Sequence, residues 1–115
     1  MKLILAIIQP TKLEAVRQAL DKIEVTRMTV GDAQGYARQR GRTEMYRGHE
    51  YKTQLLRKIT LEIMVNDDFL DRTVEALMAV ARTGPGGEIG DGKIFVLPAL
   101  EAVSIAGSVR GQEAV

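Results

Sequence analysis

Three observations predict an α+β fold for this chain. Apolar residues recur at helical spacing in two separate stretches, four short strand-like runs flank them, and the order is β-α-β-β-α-β. That order is the ferredoxin-like split βαβ arrangement, a four-stranded antiparallel sheet with both helices on one face. The length of 115 residues fits one domain with a modest core.

The first run, "KLILAII" at 2–8, is apolar on both sides and ends at Gln9-Pro10, the pattern of a central strand. Leu13, Val16, Leu20 and Ile23 then predict a helix over about 12–23, and Thr11 with Glu14 predicts a capping box at its start. "VTRMTVGDAQG", residues 25–35, alternates and reads as a second strand. A polar interruption follows from about Tyr36 to Arg57. "ITLEIMV" at 59–65 alternates cleanly as a third strand. In the next stretch Asn66 is placed to cap a helix, Asp67 and Asp68 suit its positive end, and Gly84 is placed to stop it. Leu70, Val74, Leu77 and Ala81 form its predicted buried stripe. A glycine-rich loop, "GPGGEIGDGK" at 84–93, leads into "KIFVLP", the fourth strand, and the tail from about 100 to 115 is irregular.

Helices cover one face of such a sheet. The first and fourth strands are nevertheless apolar on both faces, through Leu3, Leu5 and Ile7 in one and Phe95 and Leu97 in the other. The second face therefore needs cover, either from other subunits or from the C-terminal tail folding over it.

Bulk composition narrows the function. The apolar fraction of 45% argues for a folded domain, and the net charge of +1 gives no field suited to nucleic acid. There is no cysteine, which excludes disulfides and thiolate chemistry and suits a reducing, cytoplasmic location. The apolar start is too short for a membrane span and lacks a small-residue cleavage site. One histidine and no nucleophile–base pair leave no support for an enzyme, and His49 reads as a surface residue.

The two loops carry the remaining signal. Between Tyr36 and Gln54 stand five cations, Arg38, Arg40, Arg42, Arg47 and Lys52, against Glu44 and Glu50. Arginine suits bidentate recognition of phosphate or carboxylate, and a loop of this length is either functional or a solvated hairpin without fixed structure in the free protein. The glycine-rich loop, with Lys93, suits an anion approached by backbone N–H groups; the plainer alternative is a helix stop followed by turns.

Together the loops resemble the PII signal-transduction proteins of nitrogen regulation. "YRGHEY" at 46–51 is similar to a motif in the family's long T-loop, "GYARQRG" at 35–41 to the start of that loop, and "RTG…IGDGKIFV" to its B-loop. The resemblance spans residues 1 to about 97 and places the T-loop at about 36–57 and the B-loop at about 83–92. It implies a non-enzymatic, cytoplasmic homotrimer with ATP or ADP in clefts between subunits. It further implies 2-oxoglutarate bound beside Mg-ATP, and a T-loop that engages an enzyme, transporter or transcriptional regulator. Position by position, it puts Thr29, Gly35, Arg38, Gln39, Met64, Gly90, Asp91, Gly92 and Lys93 at the nucleotide. Gln39 would also hold the Mg²⁺, Gln39 and Lys58 the 2-oxoglutarate, and Tyr51 is the position of nucleotidylation.

The chain departs from that pattern at several points. Ser104 and Ala106 stand where two arginines would reach the phosphates, and Arg110 is out of register. The B-loop carries about three extra residues before Ile89, an insertion expected to move the phosphate cradle. Ala37, Arg57 and His49 replace a glycine, a proline and a small residue. Two readings follow: a sensor that retains adenine nucleotide, with or without 2-oxoglutarate, or a divergent paralogue. The latter would answer to ADP, AMP, another small anion or no ligand, like relatives linked to carbon uptake, metal export or microcompartments.

Overall fold

The computed structural model describes residues 1–40 and 51–115, and side chains at 1–36 and 55–115. Its elements follow the predicted order. They are β1 (Lys2–Ile8), α1 (Leu13–Lys22), β2 (Thr29–Arg40), β3 (Tyr51–Val65), α2 (Asp67–Ala81) and β4 (Gly92–Pro98). The sheet order is β2-β3-β1-β4, with every neighbouring pair antiparallel. Both interior strands are apolar on the covered face, which is why they occupy the middle.

Period-2 alternation divides the sheet cleanly. Ile4, Ala6 and Ile8 of β1 and Ile59, Leu61, Ile63 and Val65 of β3 are buried under Val16 and Leu20 of α1 and Leu77 and Ala81 of α2. In α2 the fully buried line is Thr73, Leu77 and Ala81, while Leu70 and Val74 are only partly buried against the core. Thr73 is tolerated there because its hydroxyl donates to the Phe69 carbonyl at 2.6 Å.

Four local expectations are corrected. The capping box does not form: a 3₁₀ turn, Pro10–Lys12, precedes α1, and Glu14 accepts instead from Arg17 and Gln18. Asn66 stands at the N-cap of α2 but its side chain does not cap; its amide donates to the Gln112 carbonyl at 3.4 Å. The second strand starts at Thr29 rather than 25. Val25 N–H bonds to Leu20 O and Glu24 N–H to Asp21 O, a Schellman closure with Glu24 at φ 66° and Val25 buried beneath it. Finally, the ladder continues into the stretch read as irregular, pairing Gly35 with Leu56 and running to Arg40 opposite Tyr51. With Arg57 in place of proline, the third strand keeps the backbone donor at that position, and Gln34 pairs with it. The cations Arg42 and Arg47, the anions Glu44 and Glu50, His49 and most of "YRGHEY" lie outside the described residues.

The outer face keeps its apolar surface. Phe95 is 47% exposed and Leu97 39%, with the tail in place. That tail forms a small hairpin, Val103 bridging Arg110, and continues through a 3₁₀ turn, Gly111–Ala114, to contacts at Arg27 and Asn66. Replacement of the fully buried Leu61 by alanine should cost about 2–5 kcal/mol in urea denaturation. The exposed neighbour Glu62 replaced by alanine should stay within about 0.5 kcal/mol.

Candidate functional site: the B-loop and the base of the long hairpin

The glycine-rich segment is built around one carboxylate. Asp91 Oδ1 accepts from Thr83 Oγ1 at 2.6 Å and from Gln9 Nε2 at 3.2 Å; its Oδ2 accepts from the Thr83 N–H at 2.9 Å and the Glu88 N–H at 2.8 Å. These bonds, those from Thr83 first, hold the Asp91 carboxyl well below the usual range, at about 2. They join the end of α2, the end of β1 and both arms of the loop. The residues Pro85, Gly86 and Gly87 are spanned by that closure. Gly84 and Gly87 supply its turns, at φ 67° and 77°.

Where the loop re-enters the sheet, Gly92 has φ 115°, and a Cβ there would stand 1.7 Å from the Ile7 carbonyl oxygen. Only glycine permits this approach of β4 to β1. Beside it, Gly90 also has positive φ, 98°, with open space around it. Its carbonyl accepts from Lys58 Nζ at 2.6 Å and from Gln9 Nε2 at 3.3 Å.

The sheet register shows which predicted residues meet. Lys93 pairs with Ile7, Ile7 with Thr60, and Lys58 lies two residues further on the same outer face. Gly35 belongs to that corner as well, since a Cβ on it would sit 3.2 Å from Lys58 Cγ; the missing side chain lets the lysine stem lie flat over the strand. Gly90, Asp91, Gly92, Lys93, Lys58 and Gly35 thus form one corner, rich in donors and suited to an anion. Thr29 and Met64 do not join it. Thr29 pairs with Glu62 and Met64 with Leu3. Met64 lies six residues along β3 from Lys58, about 20 Å at strand rise. Arg38, Gln39 and Tyr51 are placed by backbone alone, opposite Thr53, Lys52 and Arg40.

Two contributors escaped the sequence reading, Gln9 and Thr83. Gln9 was read only as the end of a strand. Its position just after β1, whose last residues pair with Gly92 and Lys93, was the available signal. Residues that depart from the motif also have places. Ser104 Oγ donates to the Ala106 carbonyl at 2.8 Å across the tail hairpin, and Arg110 is ion-paired with Glu101. Arg57 pairs with Asp32 at 3.3 Å, both well exposed.

Among the described residues no group of three His, Asp or Glu side chains could hold a metal, and no helix is long and apolar enough to cross a membrane. The donor set fits an anion.

The structure thus defines its class as a small ferredoxin-like domain with an anion-suited loop corner and a long β2–β3 hairpin. The family model "Nitrogen regulatory protein P-II" matches residues 1–108. The chain is 47% identical over 115 residues to nitrogen regulatory protein GlnK1 of Methanosarcina mazei, covering 100% of this chain and 97% of that one. It is 44% identical over 115 residues to nitrogen regulatory protein P-II of Azospirillum brasilense, covering 100% of both. A solved structure of B. subtilis GlnK superposes with a TM-score of 0.81 at 31% identity, covering 99% of this chain and 97% of that one. The chain belongs to the P-II family of nitrogen regulatory signalling proteins.

Asp91 makes a pH prediction. Its folded pKa lies below the ordinary 3.8, so its stabilising bonds are fully present above about pH 4 and are lost as pH falls toward about 2. The stability difference between wild type and Asp91→Asn should be constant from pH 7 to about 4. It should then shrink below that in denaturation at successive pH values.

Proposed function

We propose that this chain is a P-II sensor in which the B-loop corner binds the phosphates of an adenine nucleotide and the β2–β3 hairpin carries the signal to a partner protein. The observation that carries this reading is the convergence of the Gly90–Lys93 backbone, Lys93 and Lys58 at one end of the outer face. An anion there meets glycine backbone in left-handed conformation and two ammonium groups.

The separation of Thr29 and Met64 from that corner supports a site shared between copies. One chain offers the B-loop corner, and a neighbour would offer the opposite end of its sheet. The exposed Phe95 and Leu97 supply apolar surface for such packing. A homotrimer with nucleotide in its seams, as the family resemblance implies, satisfies both features at once. Arg38 and Gln39 would reach the same cleft, Gln39 would hold Mg²⁺ and 2-oxoglutarate with Lys58, and Tyr51 would be the modification position. The partner would be an enzyme, transporter or transcriptional regulator, and the setting cytoplasmic.

A second reading rests on the tail. Ser104 and Ala106 close on one another and Arg110 is engaged by Glu101, so this tail lends no unengaged arginine to a phosphate. Charge-assisted bonds to phosphate contribute about 1.5–3 kcal/mol each, so the chain would favour ADP, AMP or a smaller anion over ATP.

Calorimetry with ATP, ADP and AMP, each with and without Mg²⁺ and 2-oxoglutarate, decides between them. Tight ATP binding strengthened by 2-oxoglutarate selects the first reading, ADP or AMP alone the second, and silence throughout removes the nucleotide role. The double substitution Ser104→Arg, Ala106→Arg should tighten ATP by about tenfold or more, from two added charge-assisted contacts. For the assembly, Phe95→Asp should convert a sedimenting trimer to monomer. A wild-type chain sedimenting at 12.7 kDa would refute shared clefts outright.

A further inference from the structure

Lys58 has a partner within the chain. Its ammonium stands 2.6 Å from the Gly90 carbonyl oxygen, a contact joining the base of the hairpin to a loop thirty-two residues away in sequence. The same oxygen accepts from Gln9 Nε2 at 3.3 Å, and that amide also reaches Asp91 Oδ1 at 3.2 Å. Gly90 has φ 98° and no side chain to restrain it, so these two donors are the described side-chain restraints on its peptide plane.

We infer that the Gly90 carbonyl is a shared latch: Lys58 orders the B-loop from the hairpin side, and Gln9 is the positioning residue that presents the carbonyl to it. The geometry gives this arrangement two consequences. The loop that would cradle phosphate is ordered in advance by a residue of the hairpin, so its order depends on where Lys58 points. Conversely, an anion that engages Lys58 must compete with the Gly90 carbonyl for its ammonium. Resting on the reading of this corner as an anion site, the latch couples the phosphate cradle to the root of β2 and β3. Such coupling is reciprocal by necessity.

Gln9 makes the latch specific. A lysine reaching a bare carbonyl on a free loop would hold one of many loop conformations. With Gln9 bridging Gly90 O and Asp91 Oδ1, the peptide is fixed relative to the end of β1, and Lys58 meets a defined acceptor. Asp91 keeps the rest of the loop closed through Thr83 and Glu88 whether or not Lys58 is engaged. The Gly90–Asp91 peptide, held besides by the Asp91 N–H bond to the Glu88 carbonyl at 3.2 Å, is the segment left to respond.

The test is amide hydrogen exchange on the full-length ligand-free protein, comparing wild type with Lys58→Met, Lys58→Arg and Gln9→Leu. Lys58→Met should speed exchange of the Gly90 and Asp91 amides by about three- to tenfold, the loss of one solvent-exposed charge-assisted bond, with the Glu88 amide unchanged. Core amides such as Ile63 should be unchanged. Lys58→Arg should restore protection, and Gln9→Leu added to Lys58→Met should give less than the product of the two single effects. Unchanged B-loop exchange in Lys58→Met overturns the latch. So does acceleration spread evenly through the strands, which marks general destabilisation. Because no ligand is present, this outcome is independent of the calorimetry, where silence would defeat the nucleotide reading and leave the latch standing.

Discussion

The carboxylate of Asp91 is the interaction on which the candidate site depends. One side chain accepts from Thr83, Gln9 and Glu88 and so ties the end of α2, the end of β1 and the loop between them into one unit. A loop with this much glycine has large conformational freedom, and ordering it carries a correspondingly large entropic cost. A carboxylate with both oxygens engaged is the compact way to offset that cost. The same bonds determine its proton affinity: each favours the charged form, and the group titrates near 2. Pro85, Gly86 and Gly87 lie inside the closed loop, which the Asp91 carboxylate spans from Thr83 to Glu88.

The sheet does the rest of the positioning. Because side chains alternate, a single register places Lys93, Ile7, Thr60 and Lys58 on the face opposite the helices, and a shift by one residue would bury the lysines and expose Ile8 and Ile59. Register is fixed by the core: Ile4, Ala6, Ile8, Leu61 and Ile63 have to meet Val16, Leu20 and Leu77. Gly92 then seals the corner, since its backbone approach to the Ile7 carbonyl admits no side chain. Fold stability and site geometry are in this sense one requirement, and a mutation that slips β4 against β1 would lose both.

The fold class and element order were legible because period-2 and period-3.6 patterns are strong in "ITLEIMV" and in 70–81. What sequence could not give was local competition. Thr11 and Glu14 have the spacing of a capping box, but Pro10 starts a 3₁₀ turn first and Arg17 takes the glutamate. Val25 and Arg27 alternate like a strand, yet Val25 is needed to close α1. The strand extension beyond Ile59 was hidden because Arg57 and Lys58 are polar, and ladder bonds do not depend on side-chain polarity. At the site, glycine and lysine positions were legible through family resemblance. Gln9 and Thr83 were not, because their importance arises only when β1, α2 and the loop are brought together.

The charge balance of the corner bears on which anion it suits. Lys58 and Lys93 are point charges on flexible stems, and Lys58 is already engaged by a carbonyl. A planar, bidentate arginine partner would add geometric discrimination that lysine lacks. In the tail, Ser104 bonds to Ala106 and Arg110 to Glu101, so the tail contributes no such fork to the corner. Each further phosphate brings another negative charge that two lysines and the Gly90–Lys93 backbone would have to match. Under the proposed function, discrimination between longer and shorter phosphate chains therefore turns on what Arg38 and a neighbouring copy add.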